Sequence, residues 1–559
     1  MNIIGEAKKA LAEALQQAVE SARKEGALAF SFLPEFTIEV PKEKAHGDLA
    51  TNLALLLSRE VKMPPRQVGE ILLKYLPPLP GVAEARVAGP GFINFVFSKD
   101  YYLQVLPAVI KLDSRYGCAS LGQGKKVQVE FVSANPTGLL HMGNARGAAL
   151  GDTIANLLSA VGYDVTREFY INDAGNQIEM FGLSLEARYF QLLGQPVPLP
   201  EEGYHGQDLV DTVRRFIEIY GDRYLASPPE ERRRALTQFA LEEKISAIRR
   251  VLEDFGVFYD VWFSEQSLHD SGEVARVLAL LKEKGYAYEQ EGALWFKATL
   301  FGAEKDEVLV RQNGQPTYFA SDIAYHVNKF QRGFDWVIDI WGADHHGHVA
   351  RLKGALQALG YDPQRLTVIL MQLVRLYRGG QVVRMSKRTG QYVTLEELLE
   401  EVGEDAARYF FVMIKSDSHL EFDLDLARSQ TADNPVFYVQ YAHARICSIL
   451  RLAQERGYSL PPAEEVKLEV LDHPAEMELV KAIASFPEVV AGAALSLEPH
   501  RLCRFAQELA RLFHSFYNNC RVLAEEEDIR QARLLLVQAT RITLRNLLTL
   551  LGVSAPERM

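Results

Sequence analysis

The stretch from residue 131 to residue 147 constrains the fold of this chain more than any other. It follows the alternating apolar run Val127–Phe131, which predicts a buried strand, and it passes through the turn residues Asn135–Gly138 into a segment with helical spacing of apolar residues. A strand, a Gly-containing turn and a helix start, in this order, present unpaired backbone N–H groups to a phosphate. Gly143 lets a ligand approach the backbone closely, and His141 adds a donor side chain beside it. The stretch therefore predicts a nucleotide-binding unit.

A short basic loop, Arg384–Gly390, is the second signal. It follows the long apolar run Leu366–Leu376, which predicts a single strand, and it lies about 240 residues after His141. Taken singly, a histidine in a turn is more often a satisfied structural residue, and a basic loop is more often a solvated turn. The two signals in this order and at this separation are far rarer by chance, so they are interpreted as one site.

This pair resembles the HIGH and KMSKS signatures of class I aminoacyl-tRNA synthetases, and its surroundings resemble the arginyl-tRNA synthetase family in particular. The resemblance covers essentially the whole chain. The stretches that carry it, besides the pair itself, are Val40–Pro41 with His46–Asp48, Ser133–Asn144, Tyr170–Asn176, Trp341–His348, Asn434–Arg445 and Gly552–Met559.

Two positions depart from the family pattern. Asn144 stands where HIGH has its second histidine, so that position can form a hydrogen bond but cannot carry charge. Arg384 stands where KMSKS has its first lysine, whereas Lys387 keeps the second. The resemblance implies an active enzyme, with the role of Asn144 left open.

The activity that the resemblance implies is arginine–tRNA ligation. L-arginine reacts with ATP to give arginyl-adenylate and pyrophosphate, and arginine then passes to the 2′-hydroxyl of the terminal adenosine of tRNA(Arg). Because the attacking carboxylate is already ionised, catalysis needs positioning and stabilisation of charge on the leaving pyrophosphate rather than a general base. Magnesium would arrive with ATP, and no protein-held metal site is expected.

The family's motifs assign roles to matching positions here. Implied catalytic residues are His141, Asn144 and Lys387. Implied ATP contacts are Ala134, Asn135, Pro136, Thr137, Gly138, Leu139, Leu140, His141, Met142, Gly143, Asn144, Gly342, Asp344, His345, His348, Met385, Ser386 and Lys387.

A guanidinium substrate is planar and always charged, so it requires a carboxylate and flat polar partners. The resemblance implies that Ser133 and Asn135 lie near the backbone groups of arginine. It places Glu130, Tyr318 and Asp322 near its side chain. For Glu130 the alternative is a buried strand residue with a salt-bridge partner.

The run Gly342–His348 carries three histidines and an aspartate, which invites a metal interpretation. Ligands this close together at a strand end rarely form a closed tetrahedral site, and no second cluster supplies further ligands. The favoured interpretation, by resemblance, places Gly342 and Asp344 at the ribose and His345 or His348 beside the adenosine.

The expected fold class is α/β, with a doubly wound parallel Rossmann-like sheet, a helical insertion, an N-terminal α+β domain and a C-terminal all-α bundle. The expected domains are an N-terminal domain contacting the tRNA elbow (1–115), the catalytic domain (116–372) with its insertion (about 174–310), a basic-loop and stem-contact region (373–430) and an anticodon-binding bundle (431–559). Asp48 is predicted to cap a helix from Leu49 to Arg59. Thr394 and Glu397 are predicted to form a capping box at the start of a helix after the basic loop.

Composition bounds the partners and the compartment. The net charge is −12, yet the segment from residue 501 to residue 559 holds nine Arg against six Asp and Glu, so a local surface can still bind RNA. No apolar run approaches the ~18 residues needed to span a bilayer. The four cysteines form no C-x-x-C pair. A cytoplasmic monomer without membrane contact is expected.

Two other functions compete with the ligase. A nucleotidyltransferase that does not use tRNA could share the strand–turn–helix unit, but such enzymes lack a large C-terminal helical domain. A catalytically inactive paralogue that only binds RNA is favoured by Asn144 and opposed by Lys387 and Asp322.

Overall fold

An antiparallel four-stranded sheet with helices on it forms the N-terminal part of the structure, a computed structural model that describes residues 2–383 and 393–559. Its elements are α1 (Ile3–Lys24), β1 (Ile38–Glu39), β2 (Leu49–Thr51), α2 (Leu53–Val61), α3 (Pro65–Tyr75), β3 (Val82–Ala88), β4 (Phe92–Phe97), α4 (Lys99–Leu103) and α5 (Val105–Leu112). The strand order is β1-β2-β4-β3.

The predicted cap by Asp48 is wrong. Residues 49–51 pair with β4 as a strand, and the helix begins only at Leu53, because Leu49 and Thr51 are needed to fill the core against the sheet. The Asp48 carboxylate instead accepts the backbone N–H of Phe97 at 2.8 Å and pairs with Lys481 at 2.7 Å. It therefore joins the N-terminal sheet to the C-terminal bundle.

The middle of the chain is organised on a five-stranded parallel sheet of order β12-β11-β5-β6-β7, as the sequence predicts for the fold class. Its elements in chain order are β5 (Lys126–Glu130), α6 (Met142–Ala160), β6 (Asp164–Ile171), α7 (Asn176–Leu192), α8 (Gln207–Tyr220), α9 (Pro229–Asp254), β7 (Val261–Ser264), α10 (Gln266–Asp270), α11 (Glu273–Glu283), β8 (Ala287–Gln290), β9 (Ala293–Phe296), β10 (Glu307–Val310), α12 (Tyr318–Gln331), β11 (Trp336–Gly342), α13 (His346–Leu359) and β12 (Leu366–Met371).

Two details of the sheet differ from the prediction. The range 174–310, expected to be helical, also contains β7, which is the fifth strand of the sheet, and a small antiparallel sheet of order β10-β9-β8. These strands have four residues each, too few to show a periodicity. The apolar run 366–376, read as one strand, is two, because the chain leaves the parallel sheet after Met371 and starts β13 in another.

The following region carries a three-stranded sheet of order β14-β13-β15 and short helices. Its elements are β13 (Val374–Arg378), β14 (Gln381–Val382), α14 (Leu395–Val402), α15 (Glu404–Val412), β15 (Leu420–Asp423) and α16 (Leu424–Arg428). The predicted capping box is confirmed, since Thr394 Oγ1 accepts the N–H of Glu397 at 3.1 Å and the Glu397 carboxylate accepts the N–H of Thr394 at 2.8 Å.

The C-terminal part is a helical bundle of α17 (Pro435–Glu455), α18 (Pro474–Ser496), α19 (His500–Asn519) and α20 (Glu527–Leu551). Among the described helices, α18 and α20 are long and apolar enough, by length and composition alone, to cross a membrane. Within their most apolar windows 50% and 72% of the residues are buried in the protein. That burial is what a core helix of a bundle shows.

One buried guanidinium connects four parts of the chain. Arg408 on α15 pairs with Asp152 on α6 and donates to the carbonyls of Phe255 at 3.0 Å, Gly256 at 3.3 Å and Leu551 at 3.2 Å. The side chain is fully buried, so these acceptors replace the water it has lost. The catalytic sheet, the end of α9 and the last helix of the bundle are thereby fixed to each other.

Candidate active site

A cleft of about 1280 Å³ opens at the carboxyl ends of β5, β6 and β11, where a doubly wound sheet binds its ligands. Most of the predicted site residues line it: Glu130, Ser133, Ala134, Asn135, Thr137, Gly138, Leu139, Leu140, His141, Asn144, Tyr318, Asp322, Gly342, His345 and His348. Four others that the structure describes do not: Pro136, Met142, Gly143 and Asp344. Met142, the first residue of α6, is buried in the core.

The chain leaves β5 through a strained turn. Val132 and Ser133 both have positive φ angles, 69° and 39°, which L-residues and β-branched ones above all rarely adopt. The Ser133 hydroxyl stabilises the turn, since it donates to the Glu130 carboxylate at 2.8 Å and accepts the backbone N–H of Tyr170 at 3.1 Å. This turn directs residues 133–135 into the cleft between β5 and β6.

The start of α6 faces the cleft with its N-cap residue, His141. Its Nδ1 accepts the backbone N–H of Gly143 at 3.1 Å, which leaves Nε2 as the nitrogen that carries the proton in the neutral ring. Asn144 Oδ1 accepts the backbone N–H of His141 at 3.0 Å and completes a capping box. Asn144 therefore acts on the imidazole by fixing the backbone that carries it.

Opposite this helix start, α12 brings Tyr318 and Asp322 into the cleft on one helical face, four residues apart. The Asp322 carboxylate accepts a hydrogen bond from His348 Nε2 at 2.7 Å, and the Tyr318 ring lies 5.4 Å from the His348 ring. Tyr318 is 60% exposed, so its ring is available to a ligand. These three side chains form one wall of the cleft.

A second carboxylate, Glu265, lies on the same side just after β7. Only 6% of this residue is exposed, and burial, reinforced by Asp322, raises the pKa of its carboxyl to about 7. Tyr170 at the end of β6 also lines the cleft there. Two carboxylates with aromatic neighbours make this end of the cleft suitable for a cationic, planar group.

Glu130 lines the cleft but is not free in it. Lys329 Nζ lies 2.5 Å from its Oε2, and the Ser133 hydroxyl donates a hydrogen bond to its Oε1. Burial raises the pKa of Glu130, and the Lys329 ammonium opposes that rise. Glu130 thus has a salt-bridge partner, as expected from the alternative interpretation that it is a buried strand residue.

The run from Gly342 continues β11 into a short 3-10 turn, Ala343–His345, before α13. Gly342 and His345 line the cleft, whereas the Asp344 side chain is 84% exposed and lies 3.9 Å from His345. Among the residues that the structure describes, no group of three or more His, Cys, Asp or Glu could hold a metal ion.

Comparison with known proteins agrees with this geometry. Residues 5–97 match the arginyl tRNA synthetase N terminal domain, residues 105–201 and 238–424 the catalytic domain of tRNA synthetases class I (R), and residues 439–559 the DALR anticodon binding domain. The chain is 70% identical over 560 residues to the arginine–tRNA ligase of Moorella thermoacetica and 62% identical over 563 residues to that of Heliobacterium modesticaldum, covering 100% of both chains in each case.

The chain belongs to the arginyl-tRNA synthetases.

The fold of this synthetase also matches solved structures of the same family. The arginyl-tRNA synthetase of Thermus thermophilus superposes with a TM-score of 0.75 at 25% identity, covering 99% of this chain and 100% of that one. A putative arginyl tRNA synthetase from Campylobacter jejuni superposes with the same TM-score at 33% identity, covering 83% and 100%. The expected fold class and the expected family are both confirmed.

The predicted loop residues Arg384, Met385, Ser386 and Lys387 lie outside the described part of the synthetase. The chain that follows them returns to the cleft at Thr394, which pairs with His141 in an isolated β-bridge. The Leu395 N–H donates to the Leu140 carbonyl at 2.9 Å. The segment after the basic loop is therefore anchored on the start of α6.

Several lining residues escaped the sequence-based prediction, among them Tyr170, Gln177, Asp208, Glu265 and Trp341. Glu265 was missed because β7, the strand that delivers it, was not predicted. The turn after β6 has a marked polarity, since Asn172 and Asp173 are adjacent there. Asp173 explains part of it, since its carboxylate accepts from Ser264 Oγ at 2.6 Å and from the N–H of Gln266 at 2.9 Å.

Proposed function

We propose that the cleft of this arginine–tRNA ligase activates L-arginine with ATP and then transfers it to the 2′-hydroxyl of the terminal adenosine of tRNA(Arg). One observation carries the proposal: the start of α6 and a pocket with two carboxylates, Asp322 and Glu265, share a single cavity. The first suits a phosphate and the second a guanidinium. A carboxylate of arginine held between them lies where it can attack the α-phosphorus.

The ATP side is assigned to residues 134–144 and to the strand end at Gly342. In this assignment the protonated Nε2 of His141 donates to phosphate oxygens, and Asn144 keeps the histidine in place through its backbone N–H. His345 or His348 is assigned to the adenosine, and Asp344 is assigned to the ribose. Pro136, Met142 and Gly143 contribute backbone shape rather than side-chain contacts.

Lys387, with Met385 and Ser386, is assigned to the leaving pyrophosphate. Thr394, which pairs with His141, follows Lys387 by seven residues. An extended chain spans at most roughly 3.3–3.6 Å per residue, so this tether keeps Lys387 within roughly 25 Å of the cleft. This length of chain is compatible with the proposed action of Lys387 on a triphosphate bound at α6.

The arginine side is assigned to Asp322, Tyr318 and Glu265 for the guanidinium and to Ser133 and Asn135 for the α-amino and carboxylate groups. Asn135 donates to Gln177 at 2.9 Å, which orients its amide. Glu130 acts on this pocket through Ser133, because its carboxylate is already paired with Lys329. This assignment makes Asp322 the strongest single determinant of specificity.

Magnesium is assigned to the triphosphate as part of the ATP substrate. Mg²⁺ usually keeps several waters and binds substrate phosphates with one or two carboxylates. The described residues offer no cage of carboxylates or histidines. The protein then needs to bind the charge of the complex rather than the ion itself.

The tRNA is assigned to three surfaces. The N-terminal domain (1–115) contacts the elbow, the region 373–430 contacts a stem of the tRNA, and the bundle (431–559), which contains the DALR anticodon binding domain, reads the anticodon. The basic character of residues 501–559 supports the last assignment. The protein is proposed to act as a monomer in the cytoplasm.

An ATP–pyrophosphate exchange assay tests the proposal with each amino acid, with and without tRNA(Arg). Exchange that requires both arginine and tRNA is the expected result. Exchange without tRNA for a different substrate would favour a nucleotidyltransferase. Retention of tRNA binding without any exchange would favour the inactive paralogue that Asn144 raised as an alternative.

A further inference from the structure

Three carboxylates form one row across the catalytic sheet. Asp339 on β11 is the register partner of Glu130 on β5, and Glu130 is the register partner of Glu168 on β6. In parallel strands such partners point to the same face. All three are buried, with exposed fractions of 0%, 6% and 0%. Like charges this close under a helix cannot all be ionised unless cations are placed against them.

The helix that supplies those cations is α12, together with the residue that follows it. His326 Nε2 lies 2.6 Å from Asp339, Lys329 Nζ lies 2.5 Å from Glu130 and 2.8 Å from Asp339, and Arg332 binds Glu168 with two hydrogen bonds of 2.6 and 2.8 Å. The three cationic residues are spaced by three, so they lie along one face of the helix. This set of six residues is called the charge row below.

The positive and negative charges of the charge row are equal in number when His326 is an imidazolium. Its Nδ1 lies 2.7 Å from the Asp322 backbone carbonyl, which can only accept, and its Nε2 faces the Asp339 carboxylate. Both ring nitrogens are therefore donors. Three anions then meet three cations, and the histidine also supports the backbone of Asp322 from below.

Lys329 has a special position in the charge row because it joins two strands. It is fully buried, and its ammonium connects α12 to Glu130, whose other oxygen accepts from Ser133. The same helix begins with Tyr318 and contains Asp322, the side chains of the guanidinium wall. The Lys329 ammonium thus connects the helix that carries that wall to the strand that ends at the strained turn.

We infer that Lys329 is a positioning residue for arginine recognition: it holds α12 and the end of β5 at the separation that fits an arginine between Asp322 and Ser133. Lys329 does not line the cleft, so it acts through Glu130 and Asp339 rather than by touching a ligand. The inference rests on the proposed function, because it concerns the pocket assigned there to arginine.

The test compares Lys329→Met with Arg332→Met in the full-length protein. Both changes remove a cation from the charge row, but Arg332 binds Glu168, which does not line the cleft. Steady-state ATP–pyrophosphate exchange with tRNA present gives separate KM values for arginine and ATP. For Lys329→Met we expect the KM for arginine to rise about tenfold or more, with the KM for ATP within about twofold of wild type.

For Arg332→Met we expect a lower melting temperature with both KM values close to wild type. Asp339→Asn is a milder third variant, because it leaves Lys329 bound to Glu130 alone, and it keeps the test possible if Lys329→Met does not fold. We expect it to raise the KM for arginine by about threefold.

Two results would overturn the inference while the proposed function stands. One is a ratio of the two KM values that stays at its wild-type level in Lys329→Met or, where that variant does not fold, in Asp339→Asn. The other is an equal rise of the KM for arginine in Arg332→Met, since the effect would then be general loosening. Failure of the wild-type protein to exchange with arginine would instead reject the proposed function.

Discussion

His348 donates a hydrogen bond from Nε2 to the Asp322 carboxylate at 2.7 Å, and this pair joins α13 to α12 in one wall of the cleft. The carboxylate keeps its other oxygen for a ligand. Because the histidine uses Nε2 as donor, the pair also fixes which face Asp322 presents. Asp322 is therefore oriented before any substrate arrives, which is what a specificity determinant for a planar cation requires.

Replacing this carboxylate tests the arginine assignment. Asp322→Asn keeps the size of the side chain but removes its charge, and losing one member of a desolvated charge pair costs roughly 2–5 kcal/mol. We expect kcat/KM for arginine in pyrophosphate exchange to fall about 100-fold at this cost. Asp344→Asn is the matched control, and it should change the KM for ATP rather than that for arginine. Equal effects of both changes on arginine would contradict the assignment.

The start of α6 makes two different contributions that can be separated. His141→Ala removes the proposed donor to phosphate, and the loss of one such donor lowers kcat by about 10²–10³. Asn144→Ala removes a helix-capping contact worth ~1 kcal/mol, so kcat should fall by less than about tenfold. Single-turnover adenylate formation measures both. If Asn144→Ala were as inactive as His141→Ala, the amide would have a direct role in the chemistry.

Glu265 should make arginine binding depend on pH. Its pKa is raised by burial to about 7, and a guanidinium favours the ionised form, so affinity for arginine should increase as pH rises through 7. Binding should also release protons near pH 7, which calorimetry in two buffers of different ionisation enthalpy detects. Glu265→Gln should abolish the proton release. Unchanged release in that variant would show that another group titrates.

The same carboxyl has a predictable effect on folding. Because its pKa is higher in the folded protein than the ordinary value of 4.5, the stability it contributes is full below that value and is lost as pH rises through about 7. The free energy of unfolding of the ligand-free wild type should therefore decline between pH 5 and pH 8 relative to Glu265→Gln, over a window of about three pH units. Urea titrations at fixed ionic strength measure the difference.

Gly552 tests the buried Arg408 centre. The residue has a φ of 67°, and a Cβ there would lie inside the Arg408 guanidinium. Gly457→Ala is the control, since that glycine has a similar φ of 74° and an added Cβ would meet nothing within 4 Å. The control should lose about 1 kcal/mol from the left-handed backbone alone. Gly552→Ala should lose at least ~2 kcal/mol more, because it also displaces a buried ion pair.

The sequence predicted those parts of the site that local patterns encode. The alternation of Val127–Phe131, the turn at Asn135–Gly138 and the helical spacing that follows correctly placed the strand, the turn and the helix start. The capping pair Thr394 and Glu397 was also predicted correctly, because both residues act within one turn of helix. Periodicity and capping depend on residues that are close together in the sequence, so a single sequence is enough to detect them.

What the sequence did not reveal depends on partners far along the chain. Glu130 finds its cation at Lys329, 199 residues later, and Glu265 becomes a site residue only because a four-residue strand joins the sheet there. The prediction for Asp48 was wrong for the same reason. Its carboxylate binds Lys481 and the β4 backbone instead of capping the helix that follows it. Whether the basic loop reaches the triphosphate stays a prediction.

The carbonyl that Leu551 offers to Arg408 has a practical consequence for anyone who dissects this enzyme. A fragment that ends at residue 430, before the helical bundle, would retain this cation in its interior while discarding an oxygen that solvates it. The matches to known families divide the chain into separate domains, whereas the hydrogen bond between Arg408 and Leu551 crosses a boundary between two of them. In a domain-swap chimaera, the helix that carries Arg408 and the helix that ends at Leu551 should therefore come from the same parent protein.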